Sequence, residues 1–519
     1  MACGTGKTLV TLWIKEKLKP KTTLVLLPSL NLLSQTLFEW TTHSKDSFEV
    51  LCICSDTTVG KQDRNEDMKV TDAYFDVTSD ISTISQFFKL DKPKVIFCTY
   101  QSSDLVSKAQ KKEEIDFVVC DEAHRCTGLA KSTFTRVLDN KNIKAKKRLF
   151  TTATPRIFSS SVKTVASKEG KEIYGMDDEK IYGKGFFEYT FGQAIDEGWL
   201  TDYQVVIVGV DEPTVKASID ERELIALDSD KYEDAETLAS KISVAKAIKD
   251  YDITRMISFH NRVKEAQNFS KDFHEVLQLL NKKDRPQGTI WTDFISGQMS
   301  TKDRKLKLQQ LKELSASDRG IISNAKCLSE GVDVPTLDGI AFLKPKGSQI
   351  DIIQSVGRAL RKSEEKNIGT IILPIFLGKG EDDIGTIENS NFKPVWDVLK
   401  ALRSHDKRLS EELDNLRLKL GQKNKRVLSN FLDKIIIDIP KSFSTSFSDS
   451  IRMKLVENTT ETWIFWYGLL IKYIRENDKI CPFDYKTKDG YRLGTWIDKQ
   501  RRKYKNGIMP KHEINYLNK

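Results

Sequence analysis

The sequence has no run of 18 or more apolar residues, so it offers no candidate for a membrane-crossing helix. Its opening, Met1-Ala2-Cys3-Gly4-Thr5-Gly6-Lys7-Thr8, lacks the basic start and apolar stretch of a signal peptide. The eight cysteines form no C-x-x-C pair, and Cys52/Cys54 has no partner pair at zinc-ligand spacing. That pattern argues against a zinc module and a disulfide framework, and for reduced, mostly buried thiols in an intracellular protein, in cytoplasm or nucleus. The six histidines are scattered, and only His124 falls in a motif. There is no internal repeat beyond two α/β blocks. What is present is 519 residues, 39% hydrophobic and 30% charged, enough for three or four folded units. The net charge is +9, and most of the excess lies in residues 451–519, which hold 15 Lys and Arg against 8 Asp and Glu. A basic segment of this kind points to a polyanionic partner; its bland alternative is a solvated charged face.

Apolar runs and helical patterns alternate from the start. Thr23–Leu27, Val95–Cys98 and Phe117–Cys120 are short continuous apolar runs, the pattern of strands buried on both faces of a parallel sheet. A second block carries Val205–Val208, Met256–Phe259, Gly320–Ser323, Ile340–Leu343 and Thr370–Leu373. The fold class expected is α/β: two doubly wound parallel-sheet domains, 1–202 and 203–385, the first lacking its first strand, followed by a small all-α domain. Residues 378–391 read as a loop, 386–438 as a helical extension, 439–460 as a linker and 461–519 as a basic helical domain.

Cys3-Gly4-Thr5-Gly6-Lys7-Thr8 is a glycine-rich turn ahead of a helical pattern. Gly4, Thr5 and Gly6 would let backbone N–H groups converge on phosphate oxygens; Lys7 would neutralise the outer phosphates of ATP, and Thr8 would hold Mg²⁺. The chain begins inside this turn, without the strand that normally feeds it, so the expectation is a fragment or a start assigned too far downstream. Asp121-Glu122-Ala123-His124 directly follows the apolar run Phe117–Cys120. That puts Asp121 and Glu122 at the carboxyl end of a central strand, Asp121 as a Mg²⁺ ligand and Glu122 as the base that activates water.

These motifs resemble superfamily 2 helicases of the DEAH-box, restriction-enzyme-like branch, over residues 1–373. The resemblance implies nucleic-acid backbone contacts from Pro28 in Pro28–Gln35 and from Thr99 and Gln101 in Thr99–Ser102. It implies that Thr152-Ala153-Thr154, with His124, couples hydrolysis to strand movement. It also implies that Gly331 and Asp333, in Cys327–Pro335, link the nucleotide to the tracked strand. Gln354-Ser355-Val356-Gly357-Arg358-Ala359-Leu360-Arg361 has the family's Q-x-x-G-R-x-x-R shape. Arg358 and Arg361, three apart, would share a helix face and clamp the γ-phosphate, with Gln354 beside them. The adenine-reading glutamine that the superfamily places upstream is absent. DNA is favoured over RNA, because spliceosomal-type relatives have Arg and Gly where this chain has Ser355 and Leu360. The implied function is an ATP-dependent DNA helicase or translocase; a restriction or defence motor, an RNA helicase and an inert DNA-binding fragment are the alternatives. Virus or phage origin is left open. Asp484-Tyr485-Lys486 has a nuclease-like D-x-K shape but no partnered upstream acid.

In the last segment, Trp463, Trp466, Tyr467, Leu470 and Ile474 form one helical stripe, and Leu493, Trp496, Ile497 and Tyr504 a second. Pro510 could open a third helix. The rings are expected as core, and Lys499, Arg501, Arg502, Lys503 and Lys505 as phosphate contacts. Residues 461–519 resemble the helicase-associated domain, which implies nucleic-acid binding.

Overall fold

The computed structural model describes residues 1–54, 77–111, 113–130, 132–158, 163, 166–169, 171–211, 213–217, 235–315, 317–325, 337–343, 349–363, 366, 368–377, 392–422 and 432–518. Gly331, Asp333 and the expected loop at 378–391 lie outside them. The chain divides into two compact units, Met1–Lys379 with Ile436–Pro440, and Gly380–Ile435 with Lys441–Lys519. No helix among the described residues is long and apolar enough to cross a membrane.

In the first unit, the chain opens α1 (Lys7–Leu18), then β1 (Thr22–Leu27), α2 (Leu30–His43), β2 (Glu49–Ile53), β3 (Val77–Thr78) and α3 (Ile81–Phe88). It continues through β4 (Lys94–Thr99), α4 (Ser103–Gln110), β5 (Ile115–Cys120) and β6 (Ala145–Phe150). The six strands form one sheet in the order β3-β2-β4-β1-β5-β6, all parallel. Leu24, Leu26, Ile96, Cys98, Val118 and Cys120 pack on one face. Their neighbours Val25, Leu27, Val95, Phe97, Phe117 and Val119 pack on the other. Burial on both sides is why these strands read as unbroken apolar runs.

A second sheet starts at β7 (Asp202–Asp211). It includes α5 (Ala235–Asp250), β8 (Arg255–His260), α6 (Val263–Leu279), β9 (Ile290–Ser296), α7 (Thr301–Glu313), β10 (Arg319–Ala325) and β11 (Gly339–Phe342). Then come α8 (Gln349–Ala359), β12 (Ile368–Leu377) and, much later, β13 (Ile435–Asp438). The strand order is β9-β10-β8-β11-β12-β7-β13. Its core unites Val206, Val208, Ile321, Ala341 and Ile372 with Phe269 and Phe273 of α6.

The second unit is helical: α9 (Lys393–His405), α10 (Lys407–Gly421), α11 (Thr445–Thr459), α12 (Thr462–Asn477), α13 (Leu493–Lys505) and α14 (Lys511–Leu517). The span 439–460, expected as a linker, instead holds α11. Ser444 caps it by accepting from the Phe447 N–H, and Phe447, Ile451, Leu455 and Val456 are buried. The serine- and threonine-rich start that reads as a loop is the capped helix entry. Helices α10 and α12 cross closely, since a Cβ on Gly468 would lie 2.3 Å from the Leu418 carbonyl oxygen. Ile474, expected in the first stripe, is 51% exposed, while Leu469 and Tyr473 are buried in its place.

At the end of α9, burial lowers the His405 pKa from 6.5 to about 4. The unfolded chain therefore takes up a proton near pH 6.5 that the folded helix refuses until about pH 4. Stability is expected to fall as pH drops through that window, and His405→Gln to flatten the fall. Thermal midpoints of both proteins between pH 7 and pH 4 check this.

Candidate active site

The loop before α1 is shaped by two glycines. Gly4 and Gly6 have φ of 79° and 80°, where an L side chain would be strained. The Thr5 hydroxyl donates to the Ala2 carbonyl at 2.8 Å. No side chain caps the start of α1, and its first turn holds no acid, so its N–H groups face the loop mouth as an anion-binding end does. The Trp40 indole of α2 anchors this turn by donating to the Thr8 carbonyl at 3.1 Å.

The Lys7 ammonium lies 3.5 and 3.4 Å from the Met1 and Ala2 carbonyls, contacts too long to hold it firmly. Burial works against its charge, but Cys3, Glu122 and Asp121 more than offset that and raise its pKa. Lys7 therefore stays charged at the mouth of the phosphate loop.

Asp121 and Glu122 follow β5 at its carboxyl end. The Asp121 N–H donates to the Leu26 carbonyl at 3.0 Å, which ties the pair to the central strand β1. The Asp121 carboxylate accepts from the Thr151 hydroxyl at 2.8 Å and from the Glu122 N–H at 3.0 Å. Tyr100 donates to the Asp121 carbonyl at 2.8 Å. Glu122 has φ of 46°, a left-handed conformation unusual for a non-glycine residue and typical of strained functional turns.

Burial opposes charge on both carboxyls. At Glu122, Lys7, His124 and Arg125 outweigh it and hold the pKa down to about 2. Asp121, buried beside that charge, is pushed up to about 6. The two titrate as a pair whose second ionisation is resisted.

His124 is buried and lies 3.4 Å from Glu122 Oε2. Its Nδ1 lies 3.0 Å from the Thr152 hydroxyl and 3.2 Å from the Thr154 hydroxyl. Thr152 also reaches Glu122 Oε2, at 3.5 Å. Ala153 is buried between these threonines. The carboxylate pair and the Thr152-Ala153-Thr154 turn thus share one hydrogen-bonded cluster.

The second sheet brings α8 to the phosphate loop. A Cβ on Gly357 would stand 2.5 Å from Cys3 Cβ, so only glycine lets the two backbones come this close. Gly4 in turn lies against Leu200, Arg361 and the Gly357 carbonyl. Arg358 and Arg361 are near enough to pull the Cys3 thiol pKa down, though burial wins and raises it. Gln354 and Arg358 are buried on α8. Arg361, expected to share a helix face with Arg358, does not. The helix ends at Ala359, and Arg361 pairs with Leu200 in an antiparallel bridge. That bridge, with Thr201 N–H donating to the Leu360 carbonyl at 2.8 Å, pulls the chain out of the helix.

Three contributors carried no sequence signal. Thr151 and Tyr100 hold Asp121 from other strand ends. Lys366, buried, donates to the carbonyls of Leu337 and Ala359 at 3.0 and 2.7 Å, tying down the last turn of α8. Burial lowers its pKa to about 8.

The strand-contact candidates are placed less uniformly. Pro28 is buried, and its carbonyl accepts from the Gln101 amide at 3.5 Å. Thr99 is fully buried, with its hydroxyl donating to Ser102 at 3.0 Å, which leaves its side chain no surface to offer. On α13, Arg502 pairs with Asp498 at 2.7 Å and Lys503 with Glu513 at 3.7 Å. Lys499, Arg501 and Lys505 are exposed, with no carboxylate at ion-pair distance among the described residues.

The residues suit a nucleotide with its magnesium ion. The Thr8 hydroxyl makes no hydrogen bond among the described residues, and burial and the Glu122 charge raise the Asp121 pKa to about 6, a shift that a cation beside it would oppose. No cluster of three or more His, Cys, Asp or Glu side chains that could cage a metal occurs among them. Magnesium needs no such cage, because phosphates and water complete its shell.

Comparison with known proteins finds three family matches along the chain. The family described as "Type III restriction enzyme, res subunit" matches residues 1–157. "Helicase conserved C-terminal domain" matches 240–363, and "Helicase associated domain" matches 460–519. A "Probable helicase" of African swine fever virus is 28% identical over 420 residues, covering 80% of this chain and 42% of the viral protein. The Type ISP restriction-modification enzyme LlaBIII, solved bound to DNA, is 29% identical with a TM-score of 0.74, over 95% of this chain and 35% of that enzyme. LlaGI, a second enzyme of that type solved with a DNA substrate mimic, is 27% identical with a TM-score of 0.57, over 93% and 32%. The chain thus spans less than half the length of each of these relatives. Two parallel α/β sheets with this loop, this carboxylate pair and this arginine segment in one unit, joined to a helical unit of the matching type, make the chain a member of the superfamily 2 helicases with a helicase-associated domain.

Proposed function

We propose that the chain is an ATP-dependent motor that moves along DNA. One observation carries the reading: Gly357 and the following arginines lie against the phosphate loop that Lys7 and the Asp121–Glu122 pair also face. Groups from both α/β sheets converge where a triphosphate would sit.

In this reading Lys7 and the loop N–H groups bind the phosphates of ATP. Thr8 and Asp121 would hold the magnesium that accompanies the nucleotide, and the ion would supply positive charge to the outer phosphates. Glu122, ionised and aimed by its left-handed turn, orients and deprotonates the attacking water. Arg358 and Arg361 stabilise charge on the γ-phosphate from the second sheet, with Gln354 beside them. Loss of that phosphate removes what the arginines grip, and the two sheets part. His124 and Thr152 connect Glu122 to the turn at Thr154, and so link hydrolysis to movement on the strand. Gly331 and Asp333 remain assigned to this coupling by family resemblance. Pro28 and Gln101 place backbone against the strand, and the exposed basic residues of α13 add phosphate contacts. Such contacts track DNA without reading its sequence.

A restriction or defence motor is the narrower reading, favoured by the likeness to the Type ISP enzymes over 95% of this chain. The test is ATP hydrolysis with no nucleic acid, with single-stranded DNA, with duplex DNA and with RNA, against a Lys7→Ala control. Stimulation by DNA that vanishes in the control is expected. Stimulation by RNA alone would overturn the substrate assignment.

A further inference from the structure

The helical unit holds a groove of about 360 Å³ between α12, α13 and α14. Its floor is apolar: Leu470, Trp496, Ile497, Ile514 and Leu517. At its mouth stand Tyr504, Arg501 and Lys505. We infer that this groove takes an unstacked nucleobase from a single strand of nucleic acid, with Arg501 and Lys505 holding the flanking phosphates. The inference rests on the motor reading above and adds a second point of engagement to it.

Helix geometry selects these residues. At about 100° per residue, Trp496, Ile497, Gln500, Arg501, Tyr504 and Lys505 share one side of α13, whereas Lys499 and Arg502 fall on the opposite side. Charge then sorts the basic residues. Arg502 and Lys503 are compensated by Asp498 and Glu513. Arg501 and Lys505 have no carboxylate at ion-pair distance among the described residues, and no acid lines the groove. An apolar floor under an uncompensated double positive charge suits a flat base carried on an anionic backbone. A neutral apolar helix would gain no attraction from the two cations, whereas an anionic backbone does.

The rings divide into two roles. Trp463, Trp466, Tyr467 and Trp496 pack on one another, with centroids 5.4 to 6.0 Å apart, and form core. Tyr504, expected in the same stripe, is instead 62% exposed. Core packing does not account for an aromatic ring at the mouth of an apolar groove, flanked by two cations; a stacking platform does. Gln500, on the floor, is already used: its oxygen accepts from the Trp463 indole at 3.2 Å and its amide donates to the Trp496 carbonyl at 3.4 Å. With Gln500 so engaged, the apolar floor and Tyr504 make stacking the groove's main contact with a base.

The test compares the full chain and Tyr504→Ala on oligothymidylate and on the same strand with abasic sugars. Tyr504 is exposed, so the substitution leaves the fold intact. Wild type is expected to bind the intact strand roughly tenfold more tightly than the abasic one, and Tyr504→Ala to bring that ratio close to one. Lys505→Ala should weaken both strands alike and lower the salt dependence by about one phosphate contact. A strand carrying 5-iodouracil should photocrosslink within α13. If Tyr504→Ala leaves the ratio unchanged, or the crosslink maps outside the helical unit, the groove does not take a base. DNA-stimulated hydrolysis that persists in that case leaves the motor reading standing. Failure of the chain to bind either strand overturns the groove, and absence of stimulation by DNA overturns the motor reading.

Discussion

Glu122→Gln is expected to cut ATP hydrolysis by roughly 10²- to 10⁴-fold while ATP binding survives. The carboxylate is buried, ionised well below the usual range and held at φ of 46° beside Thr152 and His124. Glutamine keeps the size and an oxygen for Thr152, but it cannot take a proton from water. Burial, the larger cause of the raised Asp121 pKa, remains, but the variant removes the second cause, the Glu122 charge, so Asp121 ionises somewhat more readily. Binding of a fluorescent ATP analogue and single-turnover hydrolysis separate the two effects. Hydrolysis within tenfold of wild type would remove Glu122 from the chemistry.

Gly357→Ala is the second substitution expected to have a large effect, and its cause is steric. The new Cβ would lie 2.5 Å from Cys3 Cβ, a distance that real Cβ atoms essentially never show. Both atoms sit directly on backbone, so relief means moving α8 and its arginines away from the phosphate loop. A displacement near 1 Å at reacting groups costs about 10²-fold in rate. The same contact supplies the control. In Cys3→Gly/Gly357→Ala the nearest remaining neighbour is the Cys3 Cα at 3.7 Å, an ordinary contact. The double variant is expected to recover most of the lost kcat, although Cys3→Gly alone adds nothing. A rate that stays low in the double variant would mean that the approach of Gly357 to Cys3 does not set the position of the arginines.

The buried strands were legible because burial on both faces leaves an unbroken apolar run, as in Val25–Leu27 and Val95–Cys98. Strands β2, β6 and β9 were not. Lys146 and Lys147 in β6 are exposed, and Trp291 through Phe294 in β9 are only half-buried, so neither strand shows a continuous run. The position of Asp121 and Glu122 followed from the strand just before them. The departure of Arg361 from the helix did not, because it depends on the bridge to Leu200, distant in sequence. Likewise Thr99 sits in a motif that reads as strand-contacting, yet its hydroxyl is turned inward to Ser102. Tyr504 shows the same limit in reverse: spacing placed it in an apolar stripe, but α13 outlasts the core it packs on. The contacts of Cys3 with Gly357 and of Lys366 with Ala359 join residues hundreds of positions apart or buried without a pattern. Local periodicity carries no record of them.

The most direct test of the account is ATP-driven displacement of a third strand from a DNA triplex, which reports movement along the duplex without requiring the strands to part. Displacement by the wild-type chain with ATP, and none with Glu122→Gln or a non-hydrolysable analogue, is the predicted result. DNA-stimulated hydrolysis with no displacement on either side of the triplex would contradict the claim that this chain converts ATP hydrolysis into movement.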